Sequence, residues 1–174
     1  FYPESRYGGF SNVDGTVLFY NRVNSMLTPE SVILDVGCGR GAYGDFLEKY
    51  STKLRILNNK GSKVIGIDVS NEGKTNPFID EFYLLTEDTW PIKDSSIDIV
   101  ISDWVVEHVE NPEKFFSEAY RVLRNGGVIC FRTSNKWSYV SMMARIIPNR
   151  LHQRVVSKAQ GNRKAENRRK KISQ

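Results

Sequence analysis

The chain has 174 residues and a mass of 19.9 kDa, 40% hydrophobic and 26% charged, which suits one domain with a core and excludes collagen-like repeats and wholesale disorder. Its apolar runs are too short to span a bilayer, and no segment reads as a signal peptide. The net charge of +5 divides unevenly, with 15 Lys/Arg against 19 Asp/Glu over residues 1–144 (−4) and 10 Lys/Arg against Glu166 alone over residues 145–174 (+9).

Residues 1–144 read as one α/β domain, because short β-rich runs alternate with helical stretches. The first run, Val32 to Val36, enters a glycine-rich turn, and a helix is expected from near Gly41 with Ala42, Phe46, Leu47 and Tyr50 on one side. The second run is Lys63 to Asp68 and the third Glu81 to Leu85. Only Val69 to Asp80 lie between them, interrupted by Gly73 and Pro77, so the crossover helix there is expected to be vestigial. The fourth run is Ile97 to Ser102. The helix after it has Asn111 as cap, Pro112 in the first turn and Glu113 at the positive dipole end. Phe115, Phe116, Ala119, Tyr120 and Leu123 form its apolar stripe, Gly126 its stop, and Val128 to Thr133 the fifth run. Several runs are apolar on both faces, as parallel strands covered by helices are. Ser138 to Ile147 reads as an amphipathic helix, and residues 145–174 as a basic tail, helical or disordered.

The chemistry concentrates in Val32 to Gly41. Glycines at 37, 39 and 41 remove Cβ atoms where a ligand must lie against backbone, and the amides at the following helix start supply donors. A tight turn alone can also demand such glycines. Gly39, Gly41 and Gly44 fit the spacing G-x-G-x-x-G, which raises a dinucleotide reading. Two features oppose it. Asp35 places a carboxylate where an anionic pyrophosphate would pass, and suits a cationic group such as an α-ammonium better. Asp68 ends its strand 29 residues after Gly39, beyond the roughly 20-residue spacing of that fingerprint. Asp68 is nonetheless well placed to accept hydrogen bonds from two ribose hydroxyls.

Asp35-Val-Gly-Cys-Gly-Arg-Gly41 and Val64-Ile-Gly-Ile-Asp68 resemble the first two motifs of class I S-adenosylmethionine-dependent methyltransferases. Ser95-Ser-Ile-Asp-Ile-Val-Ile-Ser-Asp-Trp-Val-Val-Glu-His-Val109 resembles their fourth strand in its type 11 form, and Arg121-Val-Leu-Arg-Asn-Gly-Gly127 is similar to the approach to their fifth. The four stand in family order over residues 31–134. The flanks, Arg6-Tyr-Gly-Gly-Phe10 and Ile147-Pro-Asn-Arg-Leu-His152, resemble a bacterial subgroup associated with surface-polysaccharide genes.

The resemblance implies a doubly wound, Rossmann-like parallel sheet of order 3-2-1-4-5, with S-adenosylmethionine as cofactor. Gly37, Cys38, Gly39 and Gly41 would form the loop under its methionine and ribose portions, with Asp35 facing the ammonium. Asp68 would hold the ribose and Val69 pack on adenine. Ser102 and Asp103 would contact the methionine part, and Thr86 or Glu87 would read adenine. Full-length relatives add two strands as a C-terminal antiparallel hairpin, whereas the 40 residues after Ser134 read as helix and tail. A fragment or a diverged carboxyl end is therefore expected, and Phe1 in place of an initiator methionine reads as a processed or partial chain.

The implied reaction is methyl transfer to a small-molecule or glycan-type acceptor, with nucleic acid not expected as partner. Asp103 and His108 are the candidate general bases. Cys38 has no histidine in its motif to activate it, and Cys130 reads as core. Trp90 and Trp104, with Tyr7, Phe10 and Tyr43, are candidates to line the acceptor pocket. Two cysteines 92 positions apart, with only His108 and His152 besides, make neither a disulfide framework nor a metal site, and point to a reduced, cytoplasmic setting. Two rival readings stand beside this one: a nicotinamide-dependent dehydrogenase, and a non-catalytic cofactor-binding remnant whose tail binds RNA or another anion.

Overall fold

The computed structural model describes residues 15–60 and 62–133. Tyr7, Phe10, the helix expected over Ser138 to Ile147, the basic tail and the region of the C-terminal hairpin lie outside the described residues.

Five strands, β1 (Val32–Val36), β2 (Lys63–Asp68), β3 (Glu81–Leu84), β4 (Ile97–Asp103) and β5 (Leu123–Arg132), form one sheet in the order β3-β2-β1-β4-β5. Every pairing is parallel, with Leu34 opposite both Ile65 and Val100. The order and the parallel sense agree with the expected sheet; the limits of β1 and β2 coincide with the expected runs, those of β3 and β4 differ by one residue, and β5 starts five residues early.

Successive side chains of a strand point to opposite faces, so an apolar strand needs cover on both sides. Leu34, Ile65 and Val100 join one core with Phe115, Ala119 and Val122 of α3 (Pro112–Val122). Their neighbours Ile33, Val64, Ile99 and Ile101 join a second core with Val23 of α1 (Gly15–Ser25). Two layers of cover follow directly from the period of two. α1 also packs against α2 (Tyr50–Arg55), where the Asn24 amide donates to the Leu54 carbonyl at 2.9 Å.

Two helix expectations need correction. The stretch after Gly41 is not one helix: Ala42–Phe46 forms a 3-10 turn, Lys49 is extended, and α2 starts only at Tyr50. Of the expected stripe, Phe46 and Leu47 are exposed, while Tyr43 stacks on Phe78 with centroids 4.9 Å apart. At α3, the Asn111 side chain accepts from the Lys114 amide at 3.0 Å, as its capping position predicts. Its far end comes at Val122 rather than Gly126. The Ser95 and Ser96 amides donate to the carbonyls of Arg121 and Val122 at 3.0 and 2.9 Å, which satisfies the helix end early. β5 then begins at Leu123 with a bulge: Ile97 pairs with Leu123 but Ile99 with Val128. Tyr120 faces outward, and Glu118 is the buried polar residue of the helix. The crossover between β2 and β3 is a 3-10 turn, Asn71–Thr75, the vestigial element its length predicts.

Candidate functional site

β1 lies between β2 and β4, and the chain winds outward from it in both directions. The carboxyl ends of these three strands therefore open a crevice at the point where the winding reverses. The turn after β1 enters it. The Gly37 amide donates to the Ile67 carbonyl at 2.8 Å, tying the turn to β2. Gly37 has φ +75°, and a Cβ there would lie 2.3 Å from Val105 Cγ2, so both conformation and space require glycine. Gly39, at φ +51°, has nothing within 4 Å of a would-be Cβ, which leaves an open backbone surface.

Two cavities share Gly37. The smaller, about 470 Å³, is lined by Asp35, Cys38, Gly39, Gly41, Arg55 and Asp103. The larger, about 670 Å³, is lined by Asp68, Val69, Thr86, Glu87, Trp104 and His108 among others. The expected methionine-side residues Asp35 and Asp103 thus stand on one side of the turn. The expected ribose and adenine residues stand on the other.

Asp68 accepts from the Gly39 amide and the Ser70 amide, each at 2.8 Å, one on each carboxylate oxygen. Second lone pairs remain for hydroxyl donors. Val69 is exposed beside it. Burial lifts the Asp35 carboxyl to about 7 against the opposing charge of Arg55, with Asp103 and Asp68 adding to the rise. Burial likewise pushes the Cys38 thiol up to about 12, so it stays protonated; its side chain packs in the core instead. The Ser102 hydroxyl is wholly buried and has no hydrogen-bond partner among the described residues.

Asp103 is the most heavily engaged carboxylate. Arg132 grips it with two bonds, Nε to Oδ1 at 2.6 Å and Nη2 to Oδ2 at 2.8 Å. Tyr20 donates to Oδ2 at 3.2 Å, and Arg55 stands at 3.3 Å. His108 lies in the 3-10 turn Val106–His108, exposed on the wall of the larger cavity. Trp90 is buried against Phe115, whereas Trp104 is half-exposed with φ +63°. Arg132 lies over the Trp104 ring, 5.3 Å from its centroid.

Asn76 went unnoticed in the sequence. Buried, it donates to the Cys38 and Gly39 carbonyls at 3.0 and 3.1 Å and holds the glycine turn from below. The dipeptide Asn76-Pro77 marks a turn, which was its one local signal. Tyr20, Arg55 and Arg132 carried no local signal; they reach Asp103 only through the fold.

The comparisons with known proteins agree with this fold. A sequence profile described as a methyltransferase domain, of the type 11 family, matches residues 34–131. The malonyl-[acyl-carrier protein] O-methyltransferase of Yersinia pestis is 32% identical over 106 residues, covering 59% of this chain and 36% of that protein. The mitochondrial ubiquinone biosynthesis O-methyltransferase of Rattus norvegicus is 31% identical over 140 residues, covering 69% and 38%. Geranyl diphosphate C-methyltransferase from Streptomyces coelicolor, solved with S-adenosyl-L-homocysteine, shares the fold with a TM-score of 0.51 at 18% identity, over 66% of this chain and 41% of that one. The chain spans about two fifths of the length of the curated relatives it matches. With more than half of its residues inside the matched domain and its strands in the family's order, the chain belongs to the class I S-adenosylmethionine-dependent methyltransferases.

Proposed function

We propose that this chain transfers the methyl group of S-adenosylmethionine to a small-molecule or glycan-type acceptor. The observation that carries the reading is the pair of cavities joined at Gly37, with Asp35 facing one and Asp68 the other. A ligand with a cationic amino-acid end and a ribose would lie across the open backbone of Gly39. Asp35 would take the ammonium, Asp68 the ribose hydroxyls, and exposed Val69 one face of the adenine. The loop of Gly37, Cys38, Gly39 and Gly41 would run beneath, and the orphaned Ser102 hydroxyl would lie at the methionine end. Thr86 and Glu87 both line the adenine side.

The bound cofactor supplies an electrophilic methyl on a sulfonium sulfur, which leaves as a neutral thioether. The protein's task is chiefly alignment and exclusion of water. Of the two candidate bases, Asp103 has both oxygens occupied by donors and cationic neighbours, which suits it to holding Arg55 and Arg132 rather than to taking a proton. His108 has a ring without a hydrogen-bond partner among the described residues, and remains the candidate base. The dehydrogenase reading loses its ground to the family, and to Asp35, whose carboxylate opposes a pyrophosphate.

Calorimetric titration with S-adenosylhomocysteine tests the assignment, with NAD as control. We expect saturable one-site binding of the former alone, weakened by roughly 1–3 kcal/mol in Asp68→Ala. A folded chain that ignores S-adenosylhomocysteine would remove the proposal and leave a degenerate site with a basic tail. Among the described residues no helix is long and apolar enough to cross a membrane.

A further inference from the structure

Arg55, the last residue of α2, brings a guanidinium to the smaller cavity, beside Asp35. Aromatic rings hold it: its centre lies 4.3 Å from the Tyr43 centroid and 5.4 Å from that of Tyr20. Its ion-pair partner is Asp103 at 3.3 Å, a carboxylate that Arg132 already grips at shorter range. Its buried Nε has no hydrogen-bond partner among the described residues. A guanidinium carries five N–H donors in a rigid fork, so Arg55 is fixed in place with donors to spare. Its side chain is 28% exposed, open enough to meet a ligand and buried enough for the meeting to count.

An arginine and an acid that face the same cavity match a zwitterion. The other cations lining this cavity are engaged elsewhere: Arg40 pairs with exposed Asp45 at 3.2 Å, and Lys49 sits over the Phe46 ring at 3.9 Å. We propose that Arg55 receives the α-carboxylate of the cofactor's amino-acid end while Asp35 receives its ammonium. The inference rests on the methyltransferase reading above. Tyr43 and Tyr20 then act as the clamp that fixes the plane of the fork, and Asp103 as the anchor that keeps it from swinging away. A planar fork binds a carboxylate through two parallel bonds, which a lysine at this position could not reproduce. A carboxylate on the methyl acceptor would offer the same chemistry, so the choice of ligand must separate the two sources.

5′-Methylthioadenosine does so, because it keeps the nucleoside and thioether of S-adenosylhomocysteine and lacks the amino-acid end. Both ligands are titrated calorimetrically into the 174-residue chain and into Arg55→Gln. S-adenosylhomocysteine affinity is expected to fall about 10- to 100-fold, with methylthioadenosine affinity changed by less than about twofold. An unchanged S-adenosylhomocysteine affinity overturns the proposal and moves Arg55 to the acceptor side. Arg55→Lys keeps the charge and the stem, and carries the test should the glutamine variant lose both ligands. There the same split is expected at smaller size, and equal losses of the two ligands overturn the assignment. If the unaltered chain binds neither nucleoside, it is the underlying methyltransferase reading that falls.

Discussion

Asp35 is a buried acid whose carboxyl folding raises to about 7, at the place proposed for the cofactor's ammonium. In the unfolded chain it titrates near 3.9, while in the fold burial holds it at about 7. Between those values the folded chain keeps a proton that the unfolded chain has lost. The contribution of this group to stability therefore falls as pH rises from about 4 to about 7. An ammonium bound beside it would favour the ionised form and draw the pKa down. Binding of S-adenosylhomocysteine should therefore release a proton near pH 6.5 and tighten as pH rises toward neutrality. Calorimetry in two buffers of different ionisation enthalpy measures the release, and Asp35→Asn should abolish it. Binding without proton release would place the ammonium elsewhere. The position of Asp35 was legible in the sequence because it sits inside a motif whose spacing fixes it relative to the glycines. Arg55 was not, since its place follows from how α1, α2 and the glycine turn pack, and no short pattern encodes that.

Arg121 plays at element scale the part that Asp35 plays at the site. From the last turn of α3 it donates to the Trp90 and Ile92 carbonyls, each at 2.9 Å, and to Glu118 at 2.7 and 3.0 Å, with a further contact to Asp94. Glu118 in turn accepts from the Trp90 amide at 2.8 Å. Side-chain hydrogen bonds from Arg121 hold the Glu118 carboxyl below its usual range. This network ties the loop before β4 to α3, and that loop walls the larger cavity through Trp90. Arg121→Met should cost about 2 kcal/mol of stability, read as a lower urea midpoint at pH 7, because Glu118 is left buried without its partner. The Arg121–Glu118 contribution is present above the usual glutamate range and is lost as pH falls through the depressed value, so the difference between variant and parent should shrink in acid. An equal midpoint at neutral pH would show the network to be ornamental. The sequence disclosed α3 by its cap and stripe but misplaced its end, because the residues that close it, Ser95 and Ser96, come from another part of the chain. The helix expected from Gly41 starts late for a similar reason: the turn that precedes it carries Tyr43 onto Phe78, a partner 35 positions away.

Over the whole molecule, the apolar runs disclosed parallel strands covered on both faces, and the strand order was legible through the family resemblance of the motifs. Its central pairing joins distant parts of the chain: the Val32 amide donates to Asp98, 66 positions on, and β4 is the strand that leads to Val105, against which Gly37 is packed. β1 and β2 lie closer together in the chain, so β4 carries the larger loop-closure entropy. The turn after β1 accordingly gains its second wall only after β4 has docked. A ligand of this crevice should recognise the finished sheet and not the transition state that precedes it. S-adenosylhomocysteine should slow unfolding in urea while leaving the folding rate nearly unchanged, as stopped-flow tryptophan fluorescence would show. A ligand that accelerates folding would mean that the crevice forms early. In the expected case, cofactor supply acts as a brake on the loss of the native state: chains that have completed the sheet are retained, and those that have not are left open to proteolysis.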